Sequence, residues 1–180
     1  GSPPTHMLSW SHQWKMMHPD WTFHYWTDAA VDSLKLQNAA LYKAAWCGAM
    51  KADILRYELL YRYGGLYVDL DISCQKPFDD LLHHTFFVGT MHKIVMNGVI
   101  GVVPQHPLLK KIIDELPERF AKYNTVSMIT GPRAFDEYVR SIDGVDIYGV
   151  GHFFHEPFIY SKHFGLNSWQ GVNLRPVKFA

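Results

Sequence analysis

Lys51-Ala52-Asp53-Ile54-Leu55-Arg56-Tyr57, continued by Tyr61-Arg62-Tyr63-Gly64-Gly65-Leu66-Tyr67-Val68-Asp69-Leu70-Asp71, is the stretch whose reading decides the fold. Residues 48–63 have helical spacing, and Gly64-Gly65 ends the helix with a cap and a tight reversal. Residues 66–72 then read as a strand, on which alternate side chains face opposite ways. Leu66, Val68, Leu70 and Ile72 are expected against the core, with Tyr67, Asp69, Asp71 and Ser73 on the other face. A rise of roughly 3.4 Å per residue sets the two carboxylates about 7 Å apart.

Two like charges on one face of a buried strand are costly unless a positive group stands between or beyond them. A hard divalent cation, Mn²⁺ or Mg²⁺, meets that need with oxygen ligands and keeps positions open for phosphate. Bridging the phosphates of a nucleoside diphosphate, such an ion stabilises the charge that appears when a glycosidic bond to it breaks. On the preceding helix Asp53, Arg56 and Tyr57 stand at i, i+3 and i+4 and share a face. A carboxylate beside a guanidinium binds sugar hydroxyls with acceptors and donors; alternatively, Arg56 neutralises phosphate.

The order helix, Gly-Gly, Asp-x-Asp resembles the signature of family 32 glycosyltransferases. That retaining GT-A group is related to initiating α-1,6-mannosyltransferases, inositol-phosphoceramide mannosyltransferases and α-1,4-galactosyltransferases, and is similar to the core of clostridial glucosylating toxins. Pro19-Asp20-Trp21, Trp26-Thr27-Asp28, Asn97 ahead of His106-Pro107, Thr130-Gly131-Pro132, and His163 followed by Ser168-Trp169 extend the resemblance. It implies that Asp71 binds the metal and that Asp69 contacts ribose or sugar and the metal. Asp53 and Arg56 would hold the donor sugar, Tyr57 and Tyr67 line the nucleotide-sugar pocket, and Ser168 and Trp169 close on the diphosphate. His163 would be an extra metal ligand, and Gly64, Gly65 and Asn97 would belong to the donor site. The expected donor is GDP-mannose or a UDP-hexose, and the acceptor a sugar or glycolipid hydroxyl. Relatives begin with an Ile-Pro-Lys-Ile-Ile-His-like strand, whereas this chain starts with Gly1-Ser2-Pro3-Pro4, so that first strand is expected either to be absent from the fold or to lie ahead of the given sequence.

Composition sets the outer bounds. The 180 residues allow one domain with a real core, and 17 basic residues balance 17 acidic ones. No Lys/Arg cluster occurs, which disfavours a nucleic-acid partner. No apolar run approaches the roughly 18 residues of a membrane span, no signal-peptide pattern is present, and the compartment is left open. Aromatics at 15% suit a sugar-binding cleft or a Tyr-rich core equally. Cys47 and Cys74 match no zinc or redox spacing and read as buried thiols, with a single disulfide as the alternative. His83-His84 and His152-x-x-His155 offer no ligand set.

Other expected elements are a short helix at 8–17, a strand at 21–26 and a helix from Thr27-Asp28 to about Leu36. Strands are expected at 86–89, 99–103 and 145–148. A helix opens at His106-Pro107 with Leu109, Ile112, Ile113, Leu116 and Phe120 on one side, kinked or split by Pro117. Another starts at Thr130-Gly131-Pro132, burying Phe135, Tyr138, Val139 and Ile142. The last 30 residues read as a loop over a site. Helices alternating with strands argue for an α/β layered single domain over residues 1–180, and the resemblance implies that its fold is GT-A, Rossmann-like. Two other function classes stand beside the transferase: a non-catalytic carbohydrate-binding remnant and a metal-dependent phosphohydrolase.

Overall fold

The computed structural model describes residues 5–165, the side chains of residues 5–8 and 28 excepted. Helices α1 (Thr5–Met17), α2 (Asp28–Asp32), α3 (Ala39–Ala44) and α4 (Gly48–Tyr63) lead into strands β1 (Gly65–Val68) and β2 (Ile72–Cys74). After a 3-10 turn at Asp79–Leu81 come β3 (Phe86–Met91), β4 (Ile94–Val102), α5 (Pro107–Lys122), α6 (Val126–Ile129), α7 (Pro132–Arg140), β5 (Asp146–Tyr148), α8 (Val150–Phe153) and β6 (Ser161–His163). One sheet has the order β1-β4-β3-β5, with only the β3–β5 pair parallel, and β2 and β6 form a separate antiparallel ribbon.

The sheet separates two cores because its strands alternate. Phe86 and Val88 of β3, with Ile100 and Val102 of β4, face α4, α5 and α7, where Tyr57, Leu60, Leu109, Ile112 and Phe135 close the layer. Phe87 and Val99 face the other way, toward Trp14 of α1, Ile72 and Cys74 of β2, Phe78 and Phe153. Full burial of each such side chain stabilises the fold by about 1.5–3 kcal/mol. Met50 and Ile54 of α4 meet Leu116, Val126 and Ile129 in a third cluster. The stripes read for α5 and α7 hold except at their ends, where Phe120 is only partly buried and Ile142 packs from beyond the end of α7.

Gly64 ends α4 with φ 65, and its N–H bonds to Leu60 O at 2.8 Å. A side chain there would stand 2.6 Å from Pro104, so the reversal needs glycine both for its dihedral and for its space. Pro117 neither splits nor ends α5, which runs unbroken from Pro107 to Lys122. The proline ring leaves the Ile113 carbonyl without its usual i+4 donor, and buried Asn38 supplies one, Nδ2 donating to Ile113 O at 2.9 Å.

Several expectations change. The strand expected at 21–26 is absent: the segment lacks a ladder partner among the described residues, and aromatic content without a partner makes no strand. Its Trp21 and Phe23 still pack on the second core. The helix expected to reach about Leu36 ends at Asp32, although Thr27 caps it as anticipated, Oγ1 accepting from Ala30 N. Helix α3 was not anticipated; buried Glu58 seats the chain entering it, accepting from Gln37 N and Asn38 N at 2.7 Å each.

The strands at 86–89 and 99–103 are the cores of one hairpin turning at His92 and Lys93, with φ of 50 and 68. That turn lacks the Asn-Gly or Asp-Gly signal that usually marks such conformations. Within the terminal loop expected from residue 151, α8 and β6 are ordered elements. Cys47 and Cys74 are free thiols, half-buried and buried. No helix among the described residues is long and apolar enough to cross a membrane.

Candidate active site

Helix α4 carries its polar triad inward. Asp53 and Arg56 are 5% and 4% exposed, and Tyr57 is fully enclosed. Asp53 Oδ1 accepts from Asn97 Nδ2 at 2.9 Å and pairs with Arg56 Nη2 at 3.1 Å, while Oδ2 accepts from Thr130 Oγ1 at 2.9 Å. The Tyr57 hydroxyl donates to Thr130 O at 2.7 Å and accepts from Asn97 Nδ2 at 3.0 Å. Arg56 Nη1 donates to Asn97 O across to β4, and its guanidinium lies 4.4 Å from the centre of the Tyr67 ring. Burial pushes the Asp53 carboxyl up to about 6 against the pull of Arg56, Thr130 and Asn97, so it is an anion at neutral pH. Burial alone would lower the Arg56 pKa, but Asp69, Tyr67 and Asp53 together raise it.

The Asp-x-Asp does not lie within a strand. β1 stops at Val68, and Ile72 N donates to Asp69 O at 3.1 Å, closing a turn over residues 69–72. The alternation expected through Ile72 therefore fails at Leu70, which is 48% exposed rather than core-facing. The roughly 7 Å strand spacing of the two carboxylates falls with it. The turn puts both acids just past the end of β1, a position loops reserve for chemistry.

Asp69 Oδ1 pairs with Arg56 Nη2 at 3.1 Å and accepts from Tyr67 O–H at 2.8 Å. Burial first, then the nearby Asp69 charge against Arg56, leaves the Tyr67 phenol well above its ordinary pKa, so it stays a donor. Asp69 Oδ2 takes no hydrogen bond from the described residues, and the side chain is 34% exposed. Oδ2 lies over Gly98 of β4, where an added Cβ would stand 2.8 Å from it. Asp71 Oδ2 faces His163 Nε2 at 3.3 Å, and Asp71 O accepts from Phe164 N at 2.9 Å, which ties β6 to the turn. Burial of His163 opposes protonation, but Asp71 and, more weakly, Asp69 outweigh it and raise its pKa.

Thus Asp53, Arg56, Tyr57, Tyr67, Asn97 and Asp69 form one connected cluster, and His163 joins Asp71. Thr130, read from sequence only as a helix start, is a full member; a Thr before Gly-Pro carries no signal for a carboxylate partner half a chain away. Asp53, Arg56, Tyr57 and Asn97 are buried against one another instead of lining an open sugar pocket. Gly64 and Gly65 are not brought in: they sit at the other end of β1 and serve the chain reversal. Ser168 and Trp169 lie outside the described residues. Among the described residues, Asp69, Asp71 and His163 do not form a three-ligand metal group. The donor chemistry still suits an ion of the Mg²⁺ or Mn²⁺ type, which takes one or two carboxylates and completes its shell with phosphate and water. Asp69 Oδ2 and Asp71 are the atoms that fit, with His163 engaged as the partner of Asp71.

Gly98→Ala tests the placement of Asp69. The added methyl crowds the Asp69 carboxylate at 2.8 Å and meets Ile72 Cδ1 at an ordinary 3.6 Å, so the fold should lose less than about 1 kcal/mol. Displacing Asp69 from Arg56 and Tyr67 should slow the reaction proposed below by about tenfold or more. Thermal melting alongside kcat would check both; a slow variant with a collapsed Tm would count against the placement.

A mixed α/β sheet backed by helices, with the acidic turn following a strand, is an architecture of the GT-A type. A likeness to the solved PaToxG glycosyltransferase agrees in fold, with a TM-score of 0.53 at 21% identity, over 64% of this chain and 44% of that one. Residues 4–88 match the family model described as the glycosyltransferase sugar-binding region containing DXD motif. The chain is 31% identical over 185 aligned positions to inositol phosphoceramide mannosyltransferase 1 of Schizosaccharomyces pombe, covering 89% of this chain and 56% of that protein. It is 35% identical over 126 positions to inositol phosphoceramide mannosyltransferase 3 of the same organism, covering 64% and 35%. The chain is similar to the DXD-containing glycosyltransferases, and its resemblance to family 32 is borne out. It spans between about a third and a little over half of the length of these two relatives.

Proposed function

We propose that this chain is the donor-binding and catalytic part of a retaining, divalent-metal-dependent glycosyltransferase that moves a hexose from a nucleoside-diphosphate sugar to a glycolipid hydroxyl. The names of its relatives favour mannose as the sugar and an inositol-phosphate lipid as the acceptor. The observation that carries the reading is the turn at Asp69–Asp71, held by Arg56 and Tyr67 with one oxygen of Asp69 left over.

A divalent ion held by Asp69 and Asp71 would supply positive charge to the leaving diphosphate. The protein's own part is positional. Arg56 and Tyr67 fix Asp69 Oδ1, so Oδ2 points outward without further reorganisation, and a preorganised charge stabilises a developing one most effectively. His163, with its pKa raised, holds Asp71. No side chain in the cluster is placed as a nucleophile, which favours front-face displacement, where the departing phosphate accepts the proton of the acceptor hydroxyl and the site supplies orientation.

Incubating the full chain with Mn²⁺ and a panel of GDP-mannose, UDP-glucose, UDP-galactose and UDP-N-acetylglucosamine, then measuring released nucleotide, tests the reading. Release from GDP-mannose that stops with chelator is the expected result. Hydrolysis of simple phosphate esters without preference for a nucleotide sugar, or no release from any donor, would overturn it.

A further inference from the structure

Arg56 Nη2 is shared between two carboxylates, 3.1 Å from Asp53 Oδ1 and 3.1 Å from Asp69 Oδ1. What holds that division lies on the buried side. Asp53 has two oxygens and three donors around it: Asn97 Nδ2 and Arg56 on Oδ1, and Thr130 Oγ1 alone on Oδ2 among the described residues. Thr130 is 1% exposed, at the C-cap of α6 just before Gly131 caps α7, and its carbonyl receives the Tyr57 hydroxyl. A residue so enclosed touches no substrate. Its backbone is nonetheless pinned to α4 while its hydroxyl selects one oxygen of Asp53.

We infer that Thr130 is a positioning residue for the acidic turn: by donating to Asp53 Oδ2 it leaves Oδ1 to Arg56, and through Arg56 it sets the orientation of Asp69. Take the hydroxyl away and Oδ2 becomes a buried, charged acceptor without a donor, a costly state. The guanidinium next to it, with five N–H groups in a planar fork, is the donor that relieves it. Arg56 then closes on both oxygens of Asp53 as a bidentate pair and withdraws from Asp69, whose Oδ1 keeps only Tyr67. The carboxylate that faces the donor phosphates loses its fixed plane. The α6–α7 junction is in this way wired through α4 to the turn after β1, although β2, β3, β4 and α5 separate the two in sequence. The catalytic consequence rests on the function proposed above; the effect on Arg56 does not.

Thr130→Val and Thr130→Ser in the full chain separate positioning from packing. With GDP-mannose and Mn²⁺, the valine variant is expected to lose about tenfold in kcat while the donor KM changes less than about threefold. The serine variant, which keeps the hydroxyl, returns to within about twofold of the parent. The second readout needs no turnover: the Arg56 Nε–H resonance, assigned through its loss in Arg56→Lys, should move in Thr130→Val and stay in place in Thr130→Ser. An unmoved resonance in the valine variant would overturn the inference, as would a moved one with unchanged kcat. If the parent releases no nucleotide from any donor, the proposed function fails while the resonance still decides whether Thr130 governs Arg56.

Discussion

Asp71→Ala is expected to leave a folded chain in which metal-dependent transfer is slower by about a thousandfold or more, roughly 4 kcal/mol of lost transition-state stabilisation. In the proposed function the Asp71 carboxylate is one of the two that would hold the ion, and Asp69, paired with Arg56, offers no replacement. The fold should tolerate the change. The Asp71 carbonyl, which accepts from Phe164 N, survives truncation of the side chain. Freed of its carboxylate, His163 should titrate lower than in the parent. Nucleotide release with and without chelator, together with the melting temperature, decides the matter: full activity in a variant of unchanged Tm would remove the metal role from Asp71.

Arg56→Met should have the largest effect on stability. The guanidinium is enclosed between Asp53 and Asp69 and tied to the Asn97 carbonyl. Removing it leaves Asp53 as a buried anion with only neutral donors, and breaking such a pair from one side costs about 3–5 kcal/mol. For a chain of this length that is a fall in Tm on the order of 10 °C. Pairing it with Asp53→Asn should restore much of the loss, because the charge then left without its cation is that of Asp69, which is part-exposed, yet donor turnover should stay low, since Asp69 is still unclamped. A single variant melting within 1 °C or so of the parent would show that the cluster carries little energy.

The pH dependence has a definite sign. Asp53 has a folded-state pKa raised from 3.8 to about 6, so between those values the folded chain binds the extra proton. Its contribution to stability is fully present below pH 3.8 and is lost as pH rises through about 6. In Arg56→Met, burial acts without the opposing cation, and the loss should extend to higher pH. Urea melts across that range give the comparison.

Much of this fold was legible because the signals were local. The α4 stripe, the Gly64 cap, the His106-Pro107 start of α5 and the Gly131-Pro132 start of α7 each depend on residues within a turn or two of one another. The reading at 66–72 failed for the opposite reason. Alternation says which face a side chain takes if a strand continues, but not that the chain turns at 69–72, after Asp69 N–H has bonded to Gly98 O of β4. The same holds at 21–26, where aromatic content looked like a strand and no ladder partner exists among the described residues.

The amino-acid order by itself determined the helical face that carries Asp53, Arg56 and Tyr57, the reversal at Gly64, the acidic pair that follows, and through them the likeness to DXD glycosyltransferases. Only the tertiary structure decided that this face turns inward, that Thr130 and Asn97 close on Asp53, and that Arg56 divides itself between two carboxylates. The physical reason is range. Helix spacing and caps are fixed by neighbours a few residues away, whereas a buried charge must be answered by donors that only folding brings together from 44 and 77 positions along the chain.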